Sequence, residues 1–273
     1  MKDAYQLYRH AVDDVWKKWW VSWPLSRRVE LGQVLENADG DIRSAGSLTD
    51  HGVPFTARPG TPHNDYTYDA RGSASVTFKA AGAAADGFSA LAAADFGARV
   101  GFEKGDTALV VYRGLTESGV ENTRALAAAL VGRGWDDWDD TLLAVTDVVT
   151  AASGVVLTAT DAASEAELRF QAGAGPGMPT LADVTTAAAV AWRRHIGLEW
   201  LATDVTPFYR VVRLRKNWFG KVRKDYGPRQ PGRGAAQVPV PPVLLEEAQD
   251  DPEAVLEPVE PDEQPLPPHD ATH

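Results

Sequence analysis

Residues 73–80 read SASVTFKA, and residues 96–112 read FGARVGFEKGDTALVVY. Ala74, Val76, Phe78 and Ala80 alternate with Ser73, Ser75, Thr77 and Lys79, and Phe96, Ala98, Val100 and Phe102 keep the same two-residue period. Successive side chains of an extended chain point to opposite faces, so each stretch is expected to be a strand with one covered face. Lys104-Gly105-Asp106 then makes a turn and Thr107–Tyr112 returns beside Phe96–Glu103, a hairpin.

Downstream, Glu121–Val131 (ENTRALAAALV) joins strong helix formers to a glycine stop. Leu142–Thr160, rich in Val and Thr, and then Glu165–Phe170, Ala189–Trp200 and Val205–Leu214 are expected strands. Upstream, Tyr5, Tyr8, Val12, Val15, Trp16 and Trp19 recur at steps of three and four, predicting a helix from Asp3 to about Trp20 that Trp23-Pro24 terminates. Asn37, Asp39 and Asp41 around Gly40 echo a calcium loop, but its twelfth position is Leu48, so a hairpin turn is expected. Strands that bracket single helices without a βαβ rhythm predict an α+β fold. Its core is a twisted antiparallel or mixed β-sheet with a few packed helices and an N-terminal amphipathic helix, in one domain over 1–233.

The net charge of −11 is unevenly placed. Residues 234–273 hold ten acidic residues, no Lys or Arg, and nine of the 18 prolines, which leaves −1 for everything before them. Too little apolar surface is present in EEAQDDPEAVLEPVEPDEQPLPP to offset the entropy of ordering it, so this tail is expected to be disordered. Val243, Leu244 and Leu245 are its main apolar anchor. The first residues, MKDAYQLYRHAVDD, are charged where a secretion signal is apolar, and no apolar run approaches the roughly 20 residues of a spanning helix. A cytoplasmic protein is expected.

No catalytic centre stands out. Without cysteine, thiolate chemistry, disulfides and cysteine–zinc sites are excluded. The six histidines fall in no ligand or catalytic frame, so neither metal nor cofactor is expected. Ser89 in GFSAL lacks the second glycine of a nucleophile elbow, and Gly173, Gly175 and Gly177 lack the Lys-Ser/Thr of a phosphate loop. Asp136, Asp137, Asp139 and Asp140, interleaved with Trp135 and Trp138, read as a solvated turn ahead of a cation site. The chain is therefore expected not to be an enzyme.

Two features invite a surface. Trp16, Trp19 and Trp20, with Lys17 and Lys18 between them, combine the residues that favour a membrane boundary with those that meet anionic lipid. The competing expectation is a helix docking its aromatic face on its own sheet. Secondly, Thr206–Arg233 carries nine Lys or Arg against Asp225 alone, interleaved with Tyr209, Trp218, Phe219 and Tyr226. Arg213, Arg215, Lys216 and Trp218 suit an anionic membrane, with nucleic acid ranked lower because the remaining domain is nearly neutral. A tethered acidic tail, at an effective concentration of about millimolar, is placed to fold back on that block.

In element order and strand texture, 73–216 resembles the pore-forming domain of gasdermins, including the bacterial ones. SASVTFKA leads to GARVGFEK and TALVVYRG, then a helix, then DTLLAVTDVVTAASGVVLTATD, and the domain closes with LEWLATDVTPFYRVVRLRK, similar to the family's aromatic and then basic last strand. The resemblance implies that regions near Ala80–Val111 and Val148–Val190 refold into membrane-spanning hairpins, an expectation that moderately apolar, alternating strands suit. It further implies autoinhibition by C-terminal residues, release by an activating protease, movement to the inner face of the membrane, and a homo-oligomeric pore that kills the cell, as in antiphage defence. Arg223, Lys224, Arg229 and Arg233 are the expected cleavage positions, in an exposed linker. Bacterial members often carry an acylated cysteine that this chain lacks, and the Trp-rich leading helix is unlike them. The competing reading is a non-enzymatic binding or scaffold module that uses the basic segment and the acidic tail.

Overall fold

Leu142–Ala159 forms a strand of 18 residues, β10, and nearly every side chain along it is buried. An alternating pattern belongs to a strand covered on one side; this one is covered on both. The computed structural model that shows this describes residues 3–38, 40–70, 72–79, 97–134, 138, 141–170, 188–215, 218, 224 and 240–266.

In chain order the described elements are α1 (Ala4–Trp16), β1 (Trp20–Val21), β2 (Gln33–Ala38), β3 (Asp41–Ser47), β4 (Ala57–Pro62), β5 (Tyr66–Asp69), β6 (Ala74–Lys79), β7 (Gly97–Phe102), β8 (Thr107–Arg113) and β9 (Thr116–Val120). There follow α2 (Thr123–Gly134), β10, β11 (Ser164–Phe170), β12 (Ala188–Arg194), β13 (Ile196–Leu214), α3 (Pro242–Asp250), α4 (Pro252–Val255), β14 (Leu256–Pro258) and a single 3-10 turn at Pro261–Glu263. The fold is α+β, with a curled antiparallel sheet and few helices. β10 runs antiparallel to β13 over its whole length, and along its other side it pairs in turn with β2, β9 and β8. A second sheet, in the order β12-β11-β7-β6, consists of two hairpins set side by side.

The main sheet is sandwiched at one end. Val110 and Tyr112 of β8 and Val149 and Val156 of β10 face Tyr8, Val12 and Trp16 of α1. On the opposite face Leu109, Val111, Val155 and Leu157 meet Ala98, Val100, Phe102, Ala166 and Leu168 of the second sheet. At the other end, one face of the main sheet packs on α2, through Leu126, Leu130 and Val131. A buried hydroxyl pair, Tyr8 to Tyr112 at 2.8 Å, satisfies two phenols inside the α1 layer.

Helix α1 stops at Trp16, before the expected Trp20, because Trp20 and Val21 instead pair with Tyr209 and Phe208 on the edge of β13. A tertiary backbone ladder overrides local helix preference here. Val15, expected on the packed face, is 61% exposed. The break between the last two strands falls at His195, not near residues 201–204. The expected loop there is continuous strand, with Asp204 at positive φ and the register to β10 slipping just beyond it, between Val205 and Phe208. The β2–β3 hairpin turns at Gly40 as expected, with φ +88°.

The largest departure is the tail. Residues 240–266, expected to be disordered, form α3, α4 and β14. Leu244 and Ala248, one helical turn apart, bury against α2 with Val255 and Leu256, and Val259 buries on the opposite face of the main sheet. The tail thus wraps the edge of β13, and the partner surface on α2 supplies the apolar burial that its own composition lacks. The turn around Asp136–Asp140 (Trp138 apart), the 80–96 and 171–187 stretches, and the glycines within them lie outside the described residues.

Candidate functional site

β14 pairs with the end of β13, matching Arg213 to Glu257 and Leu214 to Leu256. That register places the acid beside the base. Arg213 Nε donates to Glu257 Oε1 at 2.6 Å, and its Nη1 lies 2.8 Å from Glu263 Oε2. Arg213 is only 18% exposed, so these are charge-assisted bonds in a partly desolvated setting and not a screened surface pair. Arg215 donates from Nε to the Glu253 carbonyl and lies 3.8 Å from Glu257. Farther along, Trp20 Nε1 donates to the Val259 carbonyl at 2.9 Å. The tail is therefore a clasp with apolar, ionic and backbone components that span the N-terminal strand and the last strand.

The tryptophans expected at a lipid surface are inside. Trp16 stacks on Phe208 with centroids 4.5 Å apart, Trp19 lies beneath the Arg210 guanidinium at 4.1 Å, and Trp20 and Trp218 are buried. Their apolar faces are used by the sheet and the clasp, so in this conformation they offer nothing to a membrane. Lys17 and Lys18 are exposed, as is Lys224. Arg213 and Arg215 are engaged by the tail, while Lys216, Arg223, Arg229 and Arg233 lie outside the described residues.

The two-hairpin sheet has two different faces. Ala74, Val76, Phe78, Ala98, Val100, Phe102, Ala166 and Leu168 point toward the main sheet, while Ser75, Thr77, Arg99, Glu165, Glu167 and Arg169 take the alternate positions. On that polar side Arg99 Nη2 reaches Glu167 Oε1 at 2.6 Å. Each of the four connections between this sheet and the main one carries a residue in the left-handed region: Gly72 (φ +69°), Asp106 (+51°), Ala163 (+58°) and His195 (+54°). Outside glycine such angles are uncommon and cost about 1–3 kcal/mol. The connections also touch one another, since the Ser164 hydroxyl donates to the His195 carbonyl at 2.9 Å and the Ser73 and Thr107 hydroxyls meet at 2.8 Å. Sequence inspection missed this joint because Asp106, Ala163 and His195 do not signal positive φ by type as glycine does.

Among the described residues, no group of three or more His, Asp or Glu could hold a metal ion, and no helix is long and apolar enough to cross a membrane. A scan against protein-family models gives no match, and no curated protein matches the chain.

Proposed function

We propose that the chain is a latent membrane-permeabilising protein of the gasdermin kind, held inactive by residues 240–266 and released by proteolysis in the basic linker before them. The observation that carries this is the two-hairpin sheet. It has one apolar and one polar face, and Ala, Val, Leu and Phe side chains pack its apolar face on the body. Its four joints to the body all hold positive-φ residues. A strand with alternating faces suits a position between lipid and water once paired into a closed barrel, where no edge is left open. Strained joints favour a unit that changes its relation to the body, because relief of strain lowers the cost of leaving.

The clasp supports the inhibitory part of the proposal. It fixes the end of β13, and it occupies Arg213 and Arg215, which on release become available to anionic lipid at about 1 kcal/mol per charge. The resemblance adds homo-oligomerisation at the inner face of a membrane and cell death as the outcome.

Dye leakage from anionic liposomes tests the proposal, with full-length protein and with protein clipped by limited trypsin digestion. Leakage only after clipping is the expected result. If neither form leaks while the clipped domain stays folded, a binding or scaffold role that uses the basic segment replaces this one.

A further inference from the structure

A half-open cleft of about 290 Å³ lies where four parts of the chain meet: the segment after β1, the β2–β3 turn, the middle of β13 and the end of the tail. That volume is at the small end of ligand pockets, enough for one ring or one medium-length chain. Its apolar walls are the half-buried Trp23, Leu198 and Trp200, with Leu266 at the rim. Leu266 is 73% exposed, the most exposed large hydrophobic side chain among the described residues.

Two polar groups in the lining have unused capacity. Tyr209 is 2% exposed, yet its hydroxyl has no hydrogen-bond partner among the described residues. The hydroxyl is not among the enclosed unpartnered polar atoms, so it opens into the cleft that Tyr209 lines and is free to donate there. Arg27 forms no ion pair among the described residues, and its single side-chain hydrogen bond there runs from Nη1 to the Ile42 carbonyl at 3.3 Å. The two groups are neighbours: burial pushes the Tyr209 phenol up, and the Arg27 charge acts against that shift. The acid in the lining, Asp41, is already bound to Arg43 at 2.8 Å.

We propose that this cleft binds a small amphipathic monocarboxylate, its apolar body against Trp23, Leu198, Trp200 and Leu266 and its head between Arg27 and the Tyr209 hydroxyl. One uncommitted cation with an acid close by favours a singly charged head over a phosphate. A guanidinium and a phenol offer directed donors to a carboxylate, and aromatic walls take the hydrocarbon. Because Gln264 and Leu266 belong to the tail, a bound ligand touches both the body and the clasp. Filling the cleft then stabilises the docked tail through linkage. This holds whether or not the protein permeabilises membranes.

The probe is octanoate added to the full-length protein, with 1-octanol as its uncharged counterpart and inorganic phosphate as a bare anion. Thermal unfolding, tryptophan fluorescence and hydrogen exchange over residues 256–266 are read. Octanoate is expected to bind saturably, raise the midpoint by a few degrees and slow exchange in the tail. Octanol should bind at least about 10-fold more weakly, and phosphate should do nothing. Arg27→Gln should bring octanoate down to the octanol level, and Tyr209→Phe should weaken octanoate about 5–10-fold while leaving octanol unchanged. Equal binding of octanoate and octanol by the unaltered protein would overturn the assignment, as would a phosphate effect matching that of octanoate. Absence of any saturable shift with octanoate has the same consequence and needs no variant to fold.

Discussion

The side-chain amide of Gln264 bridges the backbone of Val21 as a strand residue would, accepting from the Val21 N–H at 3.1 Å and donating to the Val21 carbonyl at 2.7 Å. Val21 pairs by its other edge with Phe208, so the two-residue strand β1 is held between β13 and one glutamine of the tail. The edge of a sheet with unpaired N–H and C=O groups invites pairing, and here a side chain closes it. The clasp is thereby tied to the N-terminal segment as well as to β13.

Gln264→Ala removes both bonds, each worth about 0.5–1.5 kcal/mol net. The amide of Val21 should then exchange with solvent roughly 10- to 100-fold faster by local opening, with the rest of the sheet unaffected. Residue-resolved hydrogen exchange measures this. An unchanged Val21 rate would show that the bridge does not hold the strand.

Arg213 is the ionic centre of the clasp, and its removal leaves Glu257 without its closest cation. A double-mutant cycle with Arg213→Ala and Glu257→Ala should give a coupling of about 1–2 kcal/mol, above an exposed pair because both side chains are mostly buried. Raising ionic strength should weaken it only in part. Equilibrium unfolding of the four proteins provides the cycle, and a coupling below about 0.3 kcal/mol would make the pair incidental.

The strands of the two-hairpin sheet were legible because their period is local, but their pairing was not. The expected hairpin of 96–103 with 107–112 does not form, since β7 pairs with β6 and β11 while β8 crosses into the main sheet beside β5 and β10. Val76 and Phe78, and Val100 and Phe102, announce the covered face without knowledge of what covers it. The helix α2 was legible from its composition, and the β2–β3 turn from Gly40. The tail was not, because Leu244, Ala248, Val255 and Leu256 are too few to bury one another and acquire meaning only against Leu126 and Leu130, more than a hundred residues earlier. The tryptophans misled for a related reason. Core and membrane boundary both select an amphipathic aromatic ring, and only the position of Phe208 decides for Trp16. The clasp was foreshadowed by charge and by the Val243–Leu245 anchor, of which Leu244 is buried and Val243 exposed, but an acidic block beside a basic one cannot give the register that sets Glu257 against Arg213.

Ala163 tests the joint. It is exposed and holds φ +58°, so its methyl contributes little packing while its backbone carries the cost of the left-handed region. Ala163→Gly should stabilise the protein by about 0.5–1 kcal/mol, the relief of strain less the added freedom of the unfolded chain. The same change should slow any leakage that the clipped protein causes, because strain that favours departure of the sheet is gone. Thermal unfolding gives the first result and the liposome assay the second. Destabilisation by the glycine would mean that the angle is not strained.

Asp147 of β10 makes an opposite kind of contribution from the usual surface carboxylate. Burial raises its pKa above the ordinary 3.8, against the hydrogen bond from Thr146 and the charges of Arg210 and Arg58, while Glu117 adds to the rise. The folded state therefore holds this proton more tightly than the unfolded chain does. The penalty for ionising it is absent below the unfolded value, grows as pH climbs from there to the folded value, and is constant above. In Asp147→Asn the side chain cannot ionise, yet its amide oxygen can still accept from Thr146, which donates to the carboxyl at 3.0 Å in the native protein. The stability of native protein relative to Asp147→Asn should accordingly be more favourable at pH 4 than at pH 7. The loss of the 3.7 Å contact with Arg58 shifts the absolute difference at neutral pH but not the sign of that trend, since Arg58 is already among the charges included in the raised pKa. Urea unfolding of both proteins at the two pH values decides it, and a relative stability that rises toward neutral pH would place the Arg58 and Arg210 charges, not burial, in control of the site.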